Sequence, residues 1–186
     1  GLGDVYKRQV GGRGDKTASK TLNRATDTTR QPGSTFKILA AYSAALDAGG
    51  LTLASVQDDA PYTYAGANGK SVNNYDRRYR GFTTLREAIT DSINIVTVKT
   101  LAQAGVSLGW QYVQEYGFTT VDSRDMNEAL ALGGITQGVS NLELTAAYAA
   151  IANQGTYIKP KFYTKILDHD GNVLIDNTTP ESHTVI

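Results

Sequence analysis

The chain has 186 residues, 40% of them apolar, which is enough to bury one good core and fits a single domain. Its 18 basic residues are balanced by 18 acidic ones, and a formal charge of zero argues against a nucleic-acid surface or a polybasic membrane face. Without cysteine there are no disulfides, thiolate metal sites or cysteine nucleophiles; the two histidines, His169 and His183, sit in no metal spacing and near no Ser-Asp arrangement, so a zinc hydrolase and a Ser-His-Asp triad are excluded.

In chain order, residues 1–9 alternate too poorly for a strand and are expected to be a non-native leader, with the domain spanning 10–186. Arg13-Gly14-Asp15 is an adhesion tripeptide in other settings, but three residues in a glycine-rich stretch arise easily. The first helix is expected over 35–47, with Phe36, Leu39, Ala40 and Ser43 at helical spacing and Gly49-Gly50 closing it. Just before it, Pro32-Gly33 ends an extended segment, and Ser34-Thr35-Phe36-Lys37 places a hydroxyl and an amine about one turn apart on one face. That pair is a candidate nucleophile and base. The base must be neutral, so the lysine has to fall from ~10.4 by burial, a second cation or a helix N-terminus; about 3 units corresponds to roughly 4 kcal/mol. Free N-H groups at the first turn could receive an oxyanion. Taken alone the pattern is loose, because Ser34 could equally cap a helix and Lys37 be solvated.

Residues 51–81 read as a polar, Tyr- and Gly-rich connection across the surface. In it, Asp58-Asp59 is expected to be a solvated pair, and Tyr75, Tyr79 and Arg80 to be cleft walls. A helix pair follows over 84–105, opened by a capping box of Thr84 and Glu87 and interrupted by Asp91-Ser92-Ile93-Asn94. This break can deliver the Ser92 hydroxyl and the Asn94 amide to a cleft, although both are ordinary loop residues. Further helices are expected over 108–116, stopped by Gly117, and over 142–154, with Leu142, Thr145, Ala146 and Ala149 as its packing stripe. The chain then changes period, and residues 157–168 and 172–176 read as a hairpin around Asp168-His169-Asp170-Gly171. The sum is α+β: a mainly helical lobe with fragments of an antiparallel sheet.

Together the two polar elements resemble the serine penicillin-recognising enzymes, with their Ser-x-x-Lys, Ser-x-Asn and Lys-Thr/Ser-Gly motifs. Asn23-Arg24-Ala25-Thr26, Asn74-Tyr75-Asp76, Tyr79-Arg80-Gly81, Ala131-Leu132-Gly133-Gly134, Gly138-Val139-Ser140-Asn141-Leu142-Glu143 and residues 147–155 extend the likeness, in family order, to the transpeptidase domain of class A penicillin-binding proteins. The resemblance implies the penicillin-binding, DD-peptidase (beta-lactamase-like) transpeptidase fold and a D-alanyl-D-alanine transpeptidase or carboxypeptidase of peptidoglycan. By the same carry-over Ser34 is the acylated nucleophile, Lys37 the general base, Ser92 a proton relay to the leaving nitrogen, and Asn94 a residue that binds the substrate's amide backbone or steadies Lys37. No cofactor and no metal are implied. The partners would be peptidoglycan stem peptides, on lipid-linked precursor and nascent glycan, and beta-lactams, but no nucleic acid.

The third motif does not occur: Lys16-Thr17, Lys20-Thr21, Lys70-Ser71 and Lys99-Thr100 are each followed by a residue other than glycine. The stretch is therefore expected to be an incomplete domain, lacking the Lys-Thr/Ser-Gly strand and impaired in catalysis. No apolar run approaches the ~20 residues of a membrane helix. The resemblance implies an extracytoplasmic position at the bacterial plasma membrane, through an N-terminal anchor that this sequence does not contain. Two rival readings remain. A class A beta-lactamase-like hydrolase needs a water-activating glutamate, yet Glu115 and Glu143 lack the Asn of Glu-x-x-Leu-Asn. A beta-lactam sensor domain would be acylated at the same serine.

Overall fold

A computed structural model describes residues 22–65 and 70–186. The expectations for residues 1–9 and for Arg13-Gly14-Asp15 lie outside the described residues. Strand β1 (Thr29–Arg30) runs into a 3-10 turn, Gly33–Thr35, and the helix continues through Phe36 and Lys37 to a π-helical stretch, Ile38–Tyr42, and then α1 (Ser43–Asp47). The expected helix is present, but its middle is wound wide. Ser43 Oγ donates to the carbonyl of Ile38, five residues back, at 2.9 Å, so the side chain reinforces the wider turn. Phe36, Leu39, Ala40 and Ala41 are fully buried and pack in one cluster with Ile95, Val98, Leu101 and Val113.

The segment expected to wander is organised instead. Strands β2 (Val56–Asp59), β3 (Tyr62–Thr63), β4 (Ser71–Val72) and β5 (Gly81–Thr84) form two antiparallel pairs, with Val56 opposite Thr84 and Tyr62 opposite Val72. Asp59 is not solvated but 0% exposed, because it is hydrogen-bonded to Asn74 and to the backbone of Arg80. Polar groups that satisfy one another leave no apolar period, so pattern alone gave no sign of these strands.

Helix α2 (Leu85–Thr90) opens on the expected capping box: Thr84 Oγ1 accepts from the Glu87 N-H at 3.2 Å, and Glu87 accepts from the Thr84 N-H at 3.0 Å. A short turn leads to α3 (Asn94–Ala104), and α4 (Val106–Glu115) starts two residues ahead of the expectation. Two further 3-10 turns, Ser123–Asp125 and Glu128–Leu132, precede β6 (Val139–Ser140), which pairs with β1. Helix α5 (Asn141–Ala152) is itself opened by a capping box of Ser140 and Glu143. Its buried face is Ala146, Ala147 and Ala150, rotated from the expected stripe, and Thr145 is exposed. An alanine-rich helix has little amphipathic contrast, so its inward side is chosen by what it docks on.

The last strands are β7 (Thr156–Ile158), β8 (Lys165–Leu167), β9 (Val173–Asp176) and β10 (Ser182–Thr184). The hairpin is shorter than expected: β8 pairs with β9 around the Asp168–Gly171 turn, whereas β7 pairs with β10. Among the described residues the strands form five two-stranded antiparallel pairs around a helical core, an α+β arrangement. No helix among them is long and apolar enough to cross a membrane.

Phe36 couples the start of the first helix to the core, meeting Phe118 edge to face at 5.0 Å between ring centroids. Phe36→Ala is expected to cost about 3–5 kcal/mol in urea unfolding, with an unchanged slope, since its whole ring is buried. A loss below about 1 kcal/mol would show that this ring is not part of the core that holds the segment.

Candidate functional site

The turn that carries Ser34 is held from both sides. Arg30 pairs with Val139 across β1 and β6, and Gln31 Nε2 donates to the Ile135 carbonyl at 3.1 Å. Gly133, at φ 71°, comes so close that an added Cβ would sit 2.6 Å from the Gly33 nitrogen and oxygen. Two glycine backbones thus touch, a contact that no side chain at position 133 would permit. Thr35 Oγ1 closes the turn by donating to the Pro32 carbonyl at 2.7 Å, and the Tyr148 hydroxyl donates to the Thr35 carbonyl at 2.6 Å. Ser34 is left exposed at the surface of this rigid turn, and Phe36 and Lys37 point into the protein.

Lys37 is the reverse of a solvated lysine. It is 3% exposed, and its Nζ donates to the Ser92 carbonyl at 2.6 Å, the Ser92 hydroxyl at 2.9 Å and Asn94 Oδ1 at 2.6 Å. Burial disfavours the charged amine and lowers its pKa from 10.5 to about 8. The three oxygens keep the ammonium form hydrogen-bonded throughout, while the loss of water brings the neutral form within reach near neutral pH. Three of the four expected site residues, Lys37, Ser92 and Asn94, are therefore joined directly, and Ser34 stands one turn before Lys37.

Ser92 adopts φ 54°, one of three non-glycine residues with positive φ among those described. That backbone aims both its carbonyl and its hydroxyl at Lys37, a strained arrangement of the kind found where a site requires it. Asn94 opens α3, and its Nδ2 donates to the Asn73 carbonyl at 2.7 Å, which leaves Oδ1 facing Lys37. Behind it lies a group that sequence reasoning missed. Asn74, 3% exposed, accepts from the backbone N-H groups of Asn94 at 3.0 Å and Ile95 at 3.2 Å, and its Nδ2 donates to Asp59 at 2.8 Å. Asn74 belongs to the Asn-Tyr-Asp run that supports the family likeness, but Asp59, Asn94 and Ile95 stand 15 to 21 residues from it, where no local pattern reaches.

The remaining candidates fall elsewhere. Lys99-Thr100 lies within α3, with Lys99 Nζ donating to the Asp58 carbonyl at 2.6 Å, and Lys70-Ser71 leads into β4. Glu143 caps α5 and accepts from Thr119, and Glu115 lies 3.3 Å from His183. A cavity of about 490 Å³ borders Pro32 and Thr35 on one side and Ser140 and Asn141 on the other; Ser34, Lys37, Ser92 and Asn94 do not line it. Among the described residues no three His, Asp or Glu side chains converge as a metal-ligand set.

Residues 5–186 match the family of the penicillin binding protein transpeptidase domain. Penicillin-binding protein 1F of Bacillus subtilis (strain 168) is 42% identical over 168 residues, covering 90% of this chain and 22% of that protein. The chain thus spans about a fifth of the length of this curated relative. The crystal structure of penicillin-binding protein 1A from Haemophilus influenzae superposes with a TM-score of 0.74 at 33% identity, over 88% of this chain and 24% of that one. Penicillin-binding protein A of M. tuberculosis, solved as an imipenem acyl-enzyme, has the same fold, with a TM-score of 0.75 at 22% identity over 92% of this chain and 43% of that one.

The depressed Lys37 pKa has a stability consequence with a definite sign. Below about pH 8 the lysine is protonated whether folded or unfolded, and the full cost of burying the ammonium is present. Between about 8 and 10.5 the unfolded chain binds more protons than the folded one, so stability rises with pH across that window. The unfolding free energy of the wild type relative to Lys37→Met should climb there by a total on the order of 3 kcal/mol. A difference that stays flat with pH would mean the Lys37 pKa is not depressed.

Proposed function

Since the chain belongs to the penicillin binding protein transpeptidase domain family, we propose that its full-length protein cross-links peptidoglycan through an acyl-enzyme formed at Ser34. The observation that carries this reading is the buried Lys37 amine, held by Ser92 and Asn94 one turn after an exposed serine. Neutral Lys37 takes the Ser34 proton as Oγ attacks the carbonyl of the penultimate D-alanine. The bond to the terminal D-alanine then breaks, and the leaving nitrogen takes a proton passed through the Ser92 hydroxyl, which lies 2.9 Å from Lys37 Nζ. A neighbouring stem's amine attacks the ester, forms the new amide and returns Ser34 to its free state. Water in place of that amine gives the carboxypeptidase product.

Asn94 lends its amide to the substrate backbone as well as to Lys37. The Ser34 N-H, at the start of this helical run, would receive the oxyanion. Beta-lactams present the same acyl group and are trapped at the same oxygen. The reaction takes place where its substrate lies, on the extracytoplasmic face of the plasma membrane, with lipid-linked precursor and nascent glycan as the donors and acceptors of stem peptide. Glu143 and Glu115 are committed to α5 and His183, which favours a slowly released acyl-enzyme over a hydrolase.

In the full-length protein a fluorescent penicillin should label one residue per molecule, on the peptide containing Ser34, and Ser34→Ala should abolish the label. Lys37→Ala should slow acylation by roughly 10²–10⁴-fold. Nitrocefin should give a single burst. Undiminished labelling of the Ser34→Ala protein would sink the reading, and sustained nitrocefin turnover would replace it with a hydrolase.

A further inference from the structure

Lys37 depends on where Asn94 stands, and Asn94 is the first residue of α3, a position that α3 itself cannot fix. The first N-H groups of a helix have no partner within it, and here Ile93, the residue before α3, provides no side-chain cap. Both the Asn94 and Ile95 N-H groups are instead received by Asn74 Oδ1, from a segment 20 and 21 residues earlier. The other end of the same amide is fixed too: Nδ2 donates to Asp59 Oδ1 at 2.8 Å, to Oδ2 at 3.0 Å and to the Arg78 carbonyl at 2.8 Å. The Asp59 carboxylate, fully buried, also accepts from the Arg80 N-H at 3.0 Å, and the Arg80 guanidinium lies 3.7 Å away. An asparagine held in this way cannot flip, because the reversed amide would set its NH2 against two N-H donors and its oxygen against a carboxylate.

We propose that Asn74, oriented by Asp59, is a positioning residue of the acylation site: it sets the start of α3, so that Asn94 Oδ1 meets the Lys37 amine. This rests on the reading of Lys37 as the base for Ser34. The chain of contacts is continuous, from Arg80 through Asp59 and Asn74 to the backbone of Asn94, and from the Asn94 side chain to Lys37 at 2.6 Å. The Asn73 carbonyl, adjacent to Asn74, receives Asn94 Nδ2 at 2.7 Å, so one segment sets both the backbone and the side chain of Asn94. A displacement on the scale of an ångström at such a base is enough to slow a reaction by about a hundredfold.

The test is Asn74→Ala in the full-length protein, with two readings. The first is amide hydrogen exchange at Asn94 and Ile95, expected to quicken at least about tenfold. The second is penicillin acylation, in which the first-order acylation step should fall at least about tenfold while the affinity of the pre-covalent complex stays within about threefold. Should Asn74→Ala fail to fold, Asn74→Ser, whose hydroxyl falls short of the α3 amides, carries the same two readings. Unchanged exchange, or an unchanged acylation step in molecules that remain titratable, would each overturn the proposal. A wild-type protein that is not acylated at Ser34 would instead remove the reading of Lys37, and the exchange measurement would still decide whether Asn74 sets the helix start.

Discussion

An amine taken out of water and surrounded by three oxygens is the interaction around which this structure is arranged. Removing an ammonium from solvent costs several kcal/mol unless its donors are met, and Lys37 meets them with the Ser92 carbonyl, the Ser92 hydroxyl and Asn94 Oδ1. None of the three lies in its own helix. They come from the turn after α2 and the first residue of α3, 55 to 57 residues later, so the packing of the first helix against α3 determines whether the site exists. The left-handed backbone of Ser92 is a consequence, because an ordinary turn would not bring the hydroxyl and carbonyl of one residue to the same nitrogen.

The surrounding elements each limit a motion of that cluster. The buried cluster of Phe36 and Leu39 with α3 and α4 fixes the depth of the helix, and the wide winding at Ile38–Tyr42 sets the rotation of α1 beyond it. Contact between the backbones of Gly33 and Gly133, with Tyr148 bonded to the Thr35 carbonyl, holds the serine turn while its hydroxyl stays open to solvent. One residue of the pair is thus kept accessible and the other dry. On the proposed mechanism, nucleophile and base need these opposite environments, since the attacked substrate must arrive from outside and the amine must shed its proton within.

Much of this was legible in the chain. The capping box of Thr84 and Glu87, the helix closed by Gly49-Gly50 and the Ser-x-Asn break between α2 and α3 are local events, encoded within a few residues, and they appear as read. The ordered motifs identified the family. What sequence does not reveal depends on distant partners: the Asp58-Asp59 pair reads as solvated, yet Asn74 and Arg80 fold over Asp59. The buried face of α5 is not legible locally because its alanines look alike until a neighbour covers some of them, and β7 pairs with β10 rather than with the nearer β9.

Local sequence sets the spacing that places Ser34 one turn before Lys37, the capping box that starts α2, the glycines that follow the first helix and α4, and the family to which these belong. Those are short-range matters of sterics, caps and periodicity. Only the tertiary structure decided that Lys37 is buried rather than solvated, that Ser92 and Asn94 reach it, and that Asn74 and Asp59 stand behind them. A pKa and a hydrogen-bond partner are properties of the surroundings, and those surroundings come from segments that are close only once the core has packed.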